Sequence, residues 1–160
     1  MTVGEREVEV ARWFNSAFGR VDFVAVRDAL EGGDPAALAE DENVAPLYER
    51  MSEVLDPNIE VEFRTAQMVE RRRYVGLEAW VELWRTWLEA WDEYRITSSN
   101  YETIGDHVVA DVVQRGLGRG SGLEVELTQA QVWTFRDGVV VACRVYDTRE
   151  DAMEDIGVDA

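Results

Sequence analysis

The sequence contains no lysine, and all sixteen of its basic residues are arginine. Without a lysine amine, these residues cannot form a Schiff base, anchor pyridoxal phosphate or complete a Walker-type phosphate loop. The single cysteine, Cys143, excludes an internal disulfide, and the single histidine, His107, leaves no His/Cys set for a structural zinc. The sequence therefore predicts no cofactor and no metal site.

Basic charge is also scarce, because 33 acidic residues stand against 16 basic ones and give a formal net charge of −17. A field of that sign repels phosphate backbones and anionic lipid, so neither nucleic acid nor a membrane is an expected partner. No apolar run approaches the roughly 18 residues that span a bilayer. Residues 1–10 lack the basic and apolar regions of a secretory signal, and we therefore expect a cytoplasmic location.

The chain of 160 residues, of which 46% are apolar, has the size and composition of one globular domain. In the first 57 residues, apolar residues recur at spacings of three and four, which predicts helices at 8–18, 23–30 and 47–55. A short amphipathic helix is predicted at 148–157. Residues 1–57 are thus the predicted helical part of a single domain that covers residues 1–160.

The pattern changes to a period of two after Pro57 and predicts strands within residues 58–147. One long helix interrupts them at 76–91 and carries four of the six tryptophans. The tight turns at Gly105-Asp106 and Asp137-Gly138 favour an antiparallel meander. Because helices and strands are segregated, the sequence predicts an α+β fold. The predicted strands are at 59–63, 68–74, 94–104, 107–117, 123–136 and 139–147.

Both faces of the predicted meander are largely apolar, whereas a sheet with one wet face alternates more cleanly. We expect the helices of this chain to cover one face and a second subunit to cover the other, which predicts a homodimer. Asp111 and Arg144 then form a charge pair on the subunit-facing side. The residues predicted on that face are Val109, Asp111, Val113, Ala130, Val132, Arg144 and Tyr146.

Four segments of the chain match a known pattern: Gly76-Leu-Glu-Ala-Trp, Gly105-Asp-His-Val-Val, Gln114-Arg-Gly-Leu-Gly-Arg-Gly-Ser-Gly and Val132-Trp-Thr-Phe-Arg-Asp-Gly-Val-Val. They resemble the SnoaL-like proteins of the nuclear-transport-factor-2-like superfamily, which includes ketosteroid isomerase and scytalone dehydratase. The resemblance covers about residues 43–157 and places an extra helix or an insertion between residues 20 and 45. It implies a cone in which a strongly curved sheet wraps around helices.

A cavity between the long helix and the concave face of the sheet is implied by the same resemblance. Strand parity and the alignment of these segments give its expected lining. The predicted lining residues are Phe63, Trp80, Trp84, Trp87, Ala110, Val112, Gln114, Leu127, Gln129, Gln131, Cys143 and Val145.

Steroid isomerase chemistry is disfavoured by the residues at the matching positions. It needs a carboxylate base and hydrogen-bond donors that hold a dienolate oxygen. The resemblance places Phe63 at the position of the base and Gln131 at that of the carboxylic acid donor. The two tyrosine donors correspond to Phe14 or Val26, and to Trp84.

Three functional hypotheses follow. The first is a protein that binds a small hydrophobic molecule without a conventional acid–base pair. The second is a cyclase, dehydratase or isomerase in which Gln129 and Gln131 orient the substrate and Asp147 or His107 moves a proton. The third is a structural dimer whose side chains fill the cavity. Among these, the sequence favours the first.

Overall fold

The computed structural model describes three stretches of the chain, residues 3–20, 45–65 and 73–157. The helix predicted at 23–30 and most of the strand predicted at 68–74 lie outside these stretches. All the other predicted helices and strands are present. In chain order, the elements are α1 Glu5–Arg20, α2 Ala45–Val54, β1 Leu55–Arg64, β2 Arg73–Val75, α3 Leu77–Glu89, β3 Trp91–Ile104, β4 His107–Gly118, β5 Glu124–Arg136, β6 Val139–Tyr146 and α4 Arg149–Asp155.

The six strands form one curved, open sheet in the order β2-β1-β6-β5-β4-β3. Strands β3 to β6 are an antiparallel meander, as the turn signals predicted. Strand β1 pairs in parallel with β6 and antiparallel with β2. The predicted α+β class is confirmed. None of the described helices is long and apolar enough to cross a membrane.

The β5–β6 hairpin shows how the sequence determines a turn. Asp137 and Gly138 have φ values of 52° and 82°. Positive φ at both central residues is the type I′ requirement, and this turn matches the right-handed twist of the paired strands. The hairpin thereby brings β6 back along β5.

Helices α1 and α3 pack on the concave face of the sheet and form the main core with it. The ring of Phe14 in α1 stacks on Trp133 of β5 at a centroid distance of 5.3 Å. It also meets the ring of Trp80 in α3 edge-on at 5.8 Å. This aromatic contact joins both helices to the sheet and fixes how closely they approach it.

Strict alternation from Cys143 and Val145 predicts Val141 on the cavity face, and a β-bulge in β6 corrects this prediction. The register places Thr134 opposite Ala142 and Phe135 opposite Val140, which leaves Val141 as an extra residue. Such a residue breaks the alternation of the strand locally. As a result Val140 belongs to the main core, whereas Val141 lies on the outer face with Ala142.

This chain's own C-terminal helix covers four of the seven residues that were predicted to face a second subunit. Ala152 of α4, with Met153 and Ile156, packs against a fully buried outer-face cluster. Residues already buried within one chain cannot supply the apolar area of a dimer. Dimerisation itself stays a prediction. The outer-face residues covered by α4 are Val109, Ala130, Val132 and Tyr146.

Asp111 and Arg144 do not form the predicted charge pair. Asp111 accepts a hydrogen bond at 3.1 Å from Arg149, the first residue of α4. Arg144 donates at 3.2 Å to Asp155, the last residue of α4. Asp111 therefore holds the first turn of α4 on the sheet, and Arg144 holds its last turn.

Candidate functional site

A cavity of about 110 Å³ lies between α1, α3 and the concave face of the sheet. Its walls come from both helices and from strands β1, β3, β4, β5 and β6. Most of the side chains are apolar, and five of them are aromatic. The described residues that line it are Phe14, Asn15, Val61, Phe63, Thr65, Trp80, Leu83, Trp87, Ile96, Gln114, Leu127, Gln129, Gln131, Trp133, Cys143 and Val145.

Nine of the predicted pocket residues lie on this lining. Ala110 and Val112 do not, although both are fully buried on the same sheet. The side chain of Trp84 falls outside the described part of α3. Whether the lining binds a ligand stays a prediction. The nine are Phe63, Trp80, Trp87, Gln114, Leu127, Gln129, Gln131, Cys143 and Val145.

The length of the side chains explains why the glutamines line the cavity and Ala110 and Val112 do not. Ala110 pairs with Gln131 and Val112 with Gln129 across β4 and β5. The short side chains at 110 and 112 end close to the sheet, while the glutamine amides extend from it to the cavity. Parity therefore gave the correct face, but the reach of each side chain decided which residues line the cavity.

Seven lining residues were missing from the prediction. Val61 and Thr65 share the parity of Phe63, so the alternation of β1 could have identified both. Trp133 shares the parity of Gln131 in the same way. The helical residue Asn15 carried no such signal, because the rotation of α1 depends on its packing. The seven are Phe14, Asn15, Val61, Thr65, Leu83, Ile96 and Trp133.

Neutral hydrogen-bonding groups organise the polar side of the cavity. The indole Nε1 of Trp133 donates to Oε1 of Gln131 at 3.0 Å. The Tyr94 hydroxyl donates to Oε1 of Gln114, and Nε2 of Gln114 donates to Oε1 of Gln129 at 2.5 Å. These bonds restrict the rotamers of three glutamines, so the amides are held in place before any ligand enters.

A second short network joins α1 to β3 beside the cavity. Nδ2 of Asn15 donates to the Tyr101 hydroxyl at 3.0 Å, and that hydroxyl donates to Oγ of Ser98 at 2.6 Å. Asn15 is buried, and an unpaired buried amide would cost about 1–3 kcal/mol. The network thus allows a polar residue of α1 to lie against the cavity.

The described lining carries no charge at neutral pH. It contains no carboxylate, guanidinium or imidazole, and its only titratable group is the thiol of Cys143. Burial raises the pKa of this thiol to about 12, with Arg144 opposing the shift. Burial also raises the pKa of Tyr94, next to the cavity, well above its ordinary value. Both groups are therefore neutral, and the described residues supply no acid–base pair.

The two candidate proton carriers, His107 and Asp147, are not on the described lining. His107 has outward parity, with Nδ1 2.9 Å from the Thr134 hydroxyl and Nε2 3.1 Å from a carboxylate oxygen of Asp106. Burial lowers the pKa of His107, Asp106 raises it and Arg144 lowers it further. Asp147 lies half-buried between β6 and α4. Their proposed catalytic roles stay untested predictions.

Solved structures share this architecture at low identity. An NTF2-like protein of unknown function from Burkholderia pseudomallei is 14% identical, with a TM-score of 0.64 over 97% of this chain and 100% of that one. A protein from Jannaschia sp. CCS1, provisionally assigned as a SnoaL-like polyketide cyclase, is 18% identical, with a TM-score of 0.61 over 93% and 89%. A provisionally assigned isomerase from Rhodopseudomonas palustris is 18% identical, with a TM-score of 0.51 over 71% and 86%. At these identities the likeness shows the cone fold alone.

The family is established by the sequence match. No curated protein matches the chain significantly. The SnoaL-like domain, in contrast, matches residues 23–143, which is more than half of the chain. The match begins at residue 23 instead of the expected 43, and it therefore includes most of the segment at 20–45. The chain belongs to the SnoaL-like domain family.

Proposed function

We propose that this protein binds a small hydrophobic molecule in the cavity between α1, α3 and the sheet, without acid–base catalysis of its own. One observation carries the proposal: the described lining is mostly apolar and aromatic, and its polar groups are neutral amides, indole N–H groups, a thiol and a hydroxyl. Small-molecule sites usually have this character, an apolar concavity with a few placed polar groups.

The absence of a charged group from the described lining favours binding over the cyclase, dehydratase or isomerase alternative. General acid–base catalysis needs a titratable side chain within hydrogen-bond reach of the substrate. The described lining offers only the neutral thiol of Cys143. Membership of the family does not change this argument, because one fold hosts many activities and function depends on the site.

Native mass spectrometry of the freshly purified protein, followed by denaturation of the same sample, tests the proposal. We expect an added mass of a small apolar molecule that is released on unfolding. The same spectrum reports the oligomeric state, and so tests the predicted homodimer. If no mass is added, and no compound of an apolar library raises the melting temperature, the binding proposal is wrong and the cavity is merely part of the core.

A further inference from the structure

On the outer face of the sheet, His107 lies between a hydroxyl and a carboxylate. Its Nδ1 is 2.9 Å from the hydroxyl oxygen of Thr134, and its Nε2 is 3.1 Å from a carboxylate oxygen of Asp106. A carboxylate can only accept a hydrogen bond, so the N–H of the neutral ring is on Nε2. The lone pair of Nδ1 therefore faces the Thr134 hydroxyl, which donates to it.

The imidazole ring of His107 is in the state that a general base requires. Burial lowers the pKa of His107, Asp106 raises it and Arg144 lowers it, and the net shift from 6.5 is downward. The ring is consequently neutral at pH 7, and Nδ1 can accept a proton. A hydroxyl within hydrogen-bond reach of a base, which a third group orients, is the usual arrangement of an activated nucleophile.

The space beside the Thr134 hydroxyl is open on the side away from His107. Strand pairing places Glu60, Ala142, Thr134 and His107 in one row across β1, β6, β5 and β4. Neighbouring strands are about 4.8 Å apart, and the four side chains share the outer face. The methyl group of Ala142 is too short to fill its place in the row, and a groove of about 630 Å³ lies over it. Thr134 thus has its base on one side and room for a substrate on the other.

One cation of this groove is free to act on a reacting carbonyl group. Arg136 lies two residues from Thr134 on β5, on the same face at a spacing of about 7 Å, and lines the same groove. Unlike Arg144, which donates to Asp155, it has no hydrogen bond or ion pair within the described residues. Its guanidinium group can donate to the oxygen that becomes negative when a nucleophile adds to a carbonyl carbon.

The charges that line the groove cancel, which favours a neutral substrate. Three carboxylates stand against three guanidinium groups. An anionic substrate would in addition be repelled by the net charge of −17. The charged residues of the described lining are Asp56, Glu60, Glu62, Arg73, Arg136 and Arg144.

We propose that Thr134, His107 and Asp106 form a second site, on the face of the sheet opposite the cavity, that hydrolyses small neutral esters. Thr134 is the nucleophile and His107 is the general base. Arg136 holds the oxyanion, and Asp106 is a positioning residue for the imidazole ring. This activity goes beyond the binding function proposed for the cavity, and it uses none of the residues of the cavity lining.

The reaction consumes one ester and one water and needs no other reactant. The proton of Thr134 passes to Nδ1 of His107 as Oγ1 bonds to the acyl carbon. The imidazolium then gives this proton to the alcohol oxygen as the bond between that oxygen and the acyl carbon breaks. A water molecule, deprotonated by Nδ1, attacks the acyl group on Thr134, and Oγ1 regains the proton as its bond to the acyl carbon breaks. The products are one alcohol and one carboxylic acid.

Hydrolysis of p-nitrophenyl acetate by the full chain tests the site. We expect turnover above the uncatalysed rate, measured by the absorbance of the released p-nitrophenolate. When the reaction is quenched early, we expect a protein that carries one acetyl group, and peptide mapping by mass spectrometry should place this group on Thr134. The mapping uses the wild-type protein, so its result does not depend on how a substitution affects folding.

A pair of threonine variants tests the nucleophile. Thr134→Val keeps the β-branched shape and removes the hydroxyl, so we expect it to lower turnover by about 100-fold and to abolish the acetylated form. Thr134→Ser restores a hydroxyl and should recover part of the rate. Thr128→Val is the matched control, because Thr128 lies on the same strand and the same face but opposite Val113. It should retain the wild-type rate.

Two further variants separate the base from its positioning residue. His107→Gln removes the base, and we expect a loss of about 100-fold in kcat. Asp106→Asn leaves the base in place and weakens its orientation, so kcat should fall by a smaller factor while KM stays unchanged. A change of KM alone would show that Asp106 does not act through His107.

Each contrary result overturns the site. Without turnover of the wild-type protein above the uncatalysed rate, the proposed activity is wrong. An acetyl group on His107, or full activity of Thr134→Val, would show that Thr134 is not the nucleophile. An equal loss in Thr128→Val would assign the effect to the strand instead of the hydroxyl. Ligand binding in the cavity is measured separately by native mass spectrometry, and neither result decides the other.

Discussion

Gly116 lies at a close approach between strands β3 and β4. A Cβ atom at this position would be 2.5 Å from Cε3 of Trp91 and 2.6 Å from the backbone oxygen of Glu93. The backbone oxygen cannot retreat without disturbing the pairing of the two strands. We therefore expect Gly116→Ala to lower the free energy of unfolding by about 2–3 kcal/mol, measured by urea denaturation.

Gly118, two residues later on the same strand, provides the matched control. Its nearest atom to an added Cβ is Oγ of Ser121 at 2.6 Å, and the nearest backbone atom is 3.7 Å away. The serine hydroxyl can rotate, so Gly118→Ala should cost less than about 1 kcal/mol. Equal losses in the two variants would contradict the close approach of Trp91 to Gly116.

The side-chain directions that the sequence could predict are those of regular strands. Alternation placed Gln129 and Gln131 on the cavity face because a period of two is imposed by the backbone. The same reasoning failed at Val141, where a bulge adds a residue that no local signal marks. Alternation also could not predict that Asn15 faces the cavity, since the rotation of a helix about its axis depends on tertiary packing.

The last turn of helix α4 is held on the outer face of the sheet by one carboxylate. Asp155 accepts hydrogen bonds from Arg64 at 2.5 Å and Arg144 at 3.2 Å, and from the hydroxyl of Tyr146. At its other end the helix is capped by Thr148, whose hydroxyl accepts from the Asp151 backbone N–H at 3.1 Å. The last turn of α4 thus depends on the charge of Asp155.

Replacing that charge should loosen the helix in a pH-dependent manner. The hydrogen bond from Tyr146 lowers the pKa of Asp155 from 3.8, and the two arginines lower it further while partial burial opposes them. A lowered carboxyl pKa stabilises the fold above the unfolded value and loses this contribution as pH falls through the folded value. We expect Asp155→Asn to cost about 1–2 kcal/mol at pH 7.

Denaturation of wild type and Asp155→Asn between pH 7 and pH 3 measures this contribution. The difference in unfolding free energy should stay constant down to about pH 4 and shrink at lower pH, because the wild-type carboxylate then becomes protonated. Glu126→Gln, which removes the carboxylate of an exposed ion pair with Arg115, is the control and should cost little. A difference that is independent of pH would refute the role of the charge.

Helix α4 also shows what the sequence could not give at the scale of an element. Its position was correctly predicted from its amphipathic pattern, and the structure shows Thr148 as its N-cap. The surface that it covers was not predicted. A helix of seven residues has one small apolar side, and its sequence does not indicate which surface packs against that side. The apolar outer face was assigned to a second subunit for this reason.

Part of the outer face that α4 leaves open is a largely polar groove. This groove on strands β1, β2, β5 and β6 contains carboxylates and guanidinium groups, among them Glu60, Glu62, Arg73 and Arg136. The predicted homodimer, if it uses this face, must be held by ion pairs and hydrogen bonds. The argument from an uncovered apolar face no longer supports it.

With a net charge of −17, the excess acidic residues repel one another across the whole molecule. Raising the ionic strength from about 10 mM to about 150 mM shortens the screening length from roughly 30 Å to roughly 8 Å. Salt screens the long-range repulsion among the excess acidic residues more strongly than it screens the close ion pairs. We therefore expect NaCl to stabilise the protein by about 1 kcal/mol, or about 2–4 °C in melting temperature. Thermal unfolding in NaCl and KCl measures this, and a fall in melting temperature with both salts would contradict it.

The parallel pairing of β1 with β6 sets the order in which a newly made chain acquires its cavity. Val61 lies opposite Cys143 and Phe63 opposite Val145, partners roughly eighty residues apart. A ribosome adds about 5–20 residues per second, so Phe63 exists for about 4–16 s before Val145 is synthesised. During those seconds one wall of the cavity has been made and the facing strand has not. A nascent chain can therefore hold a ligand there only after β6 has emerged from the ribosome.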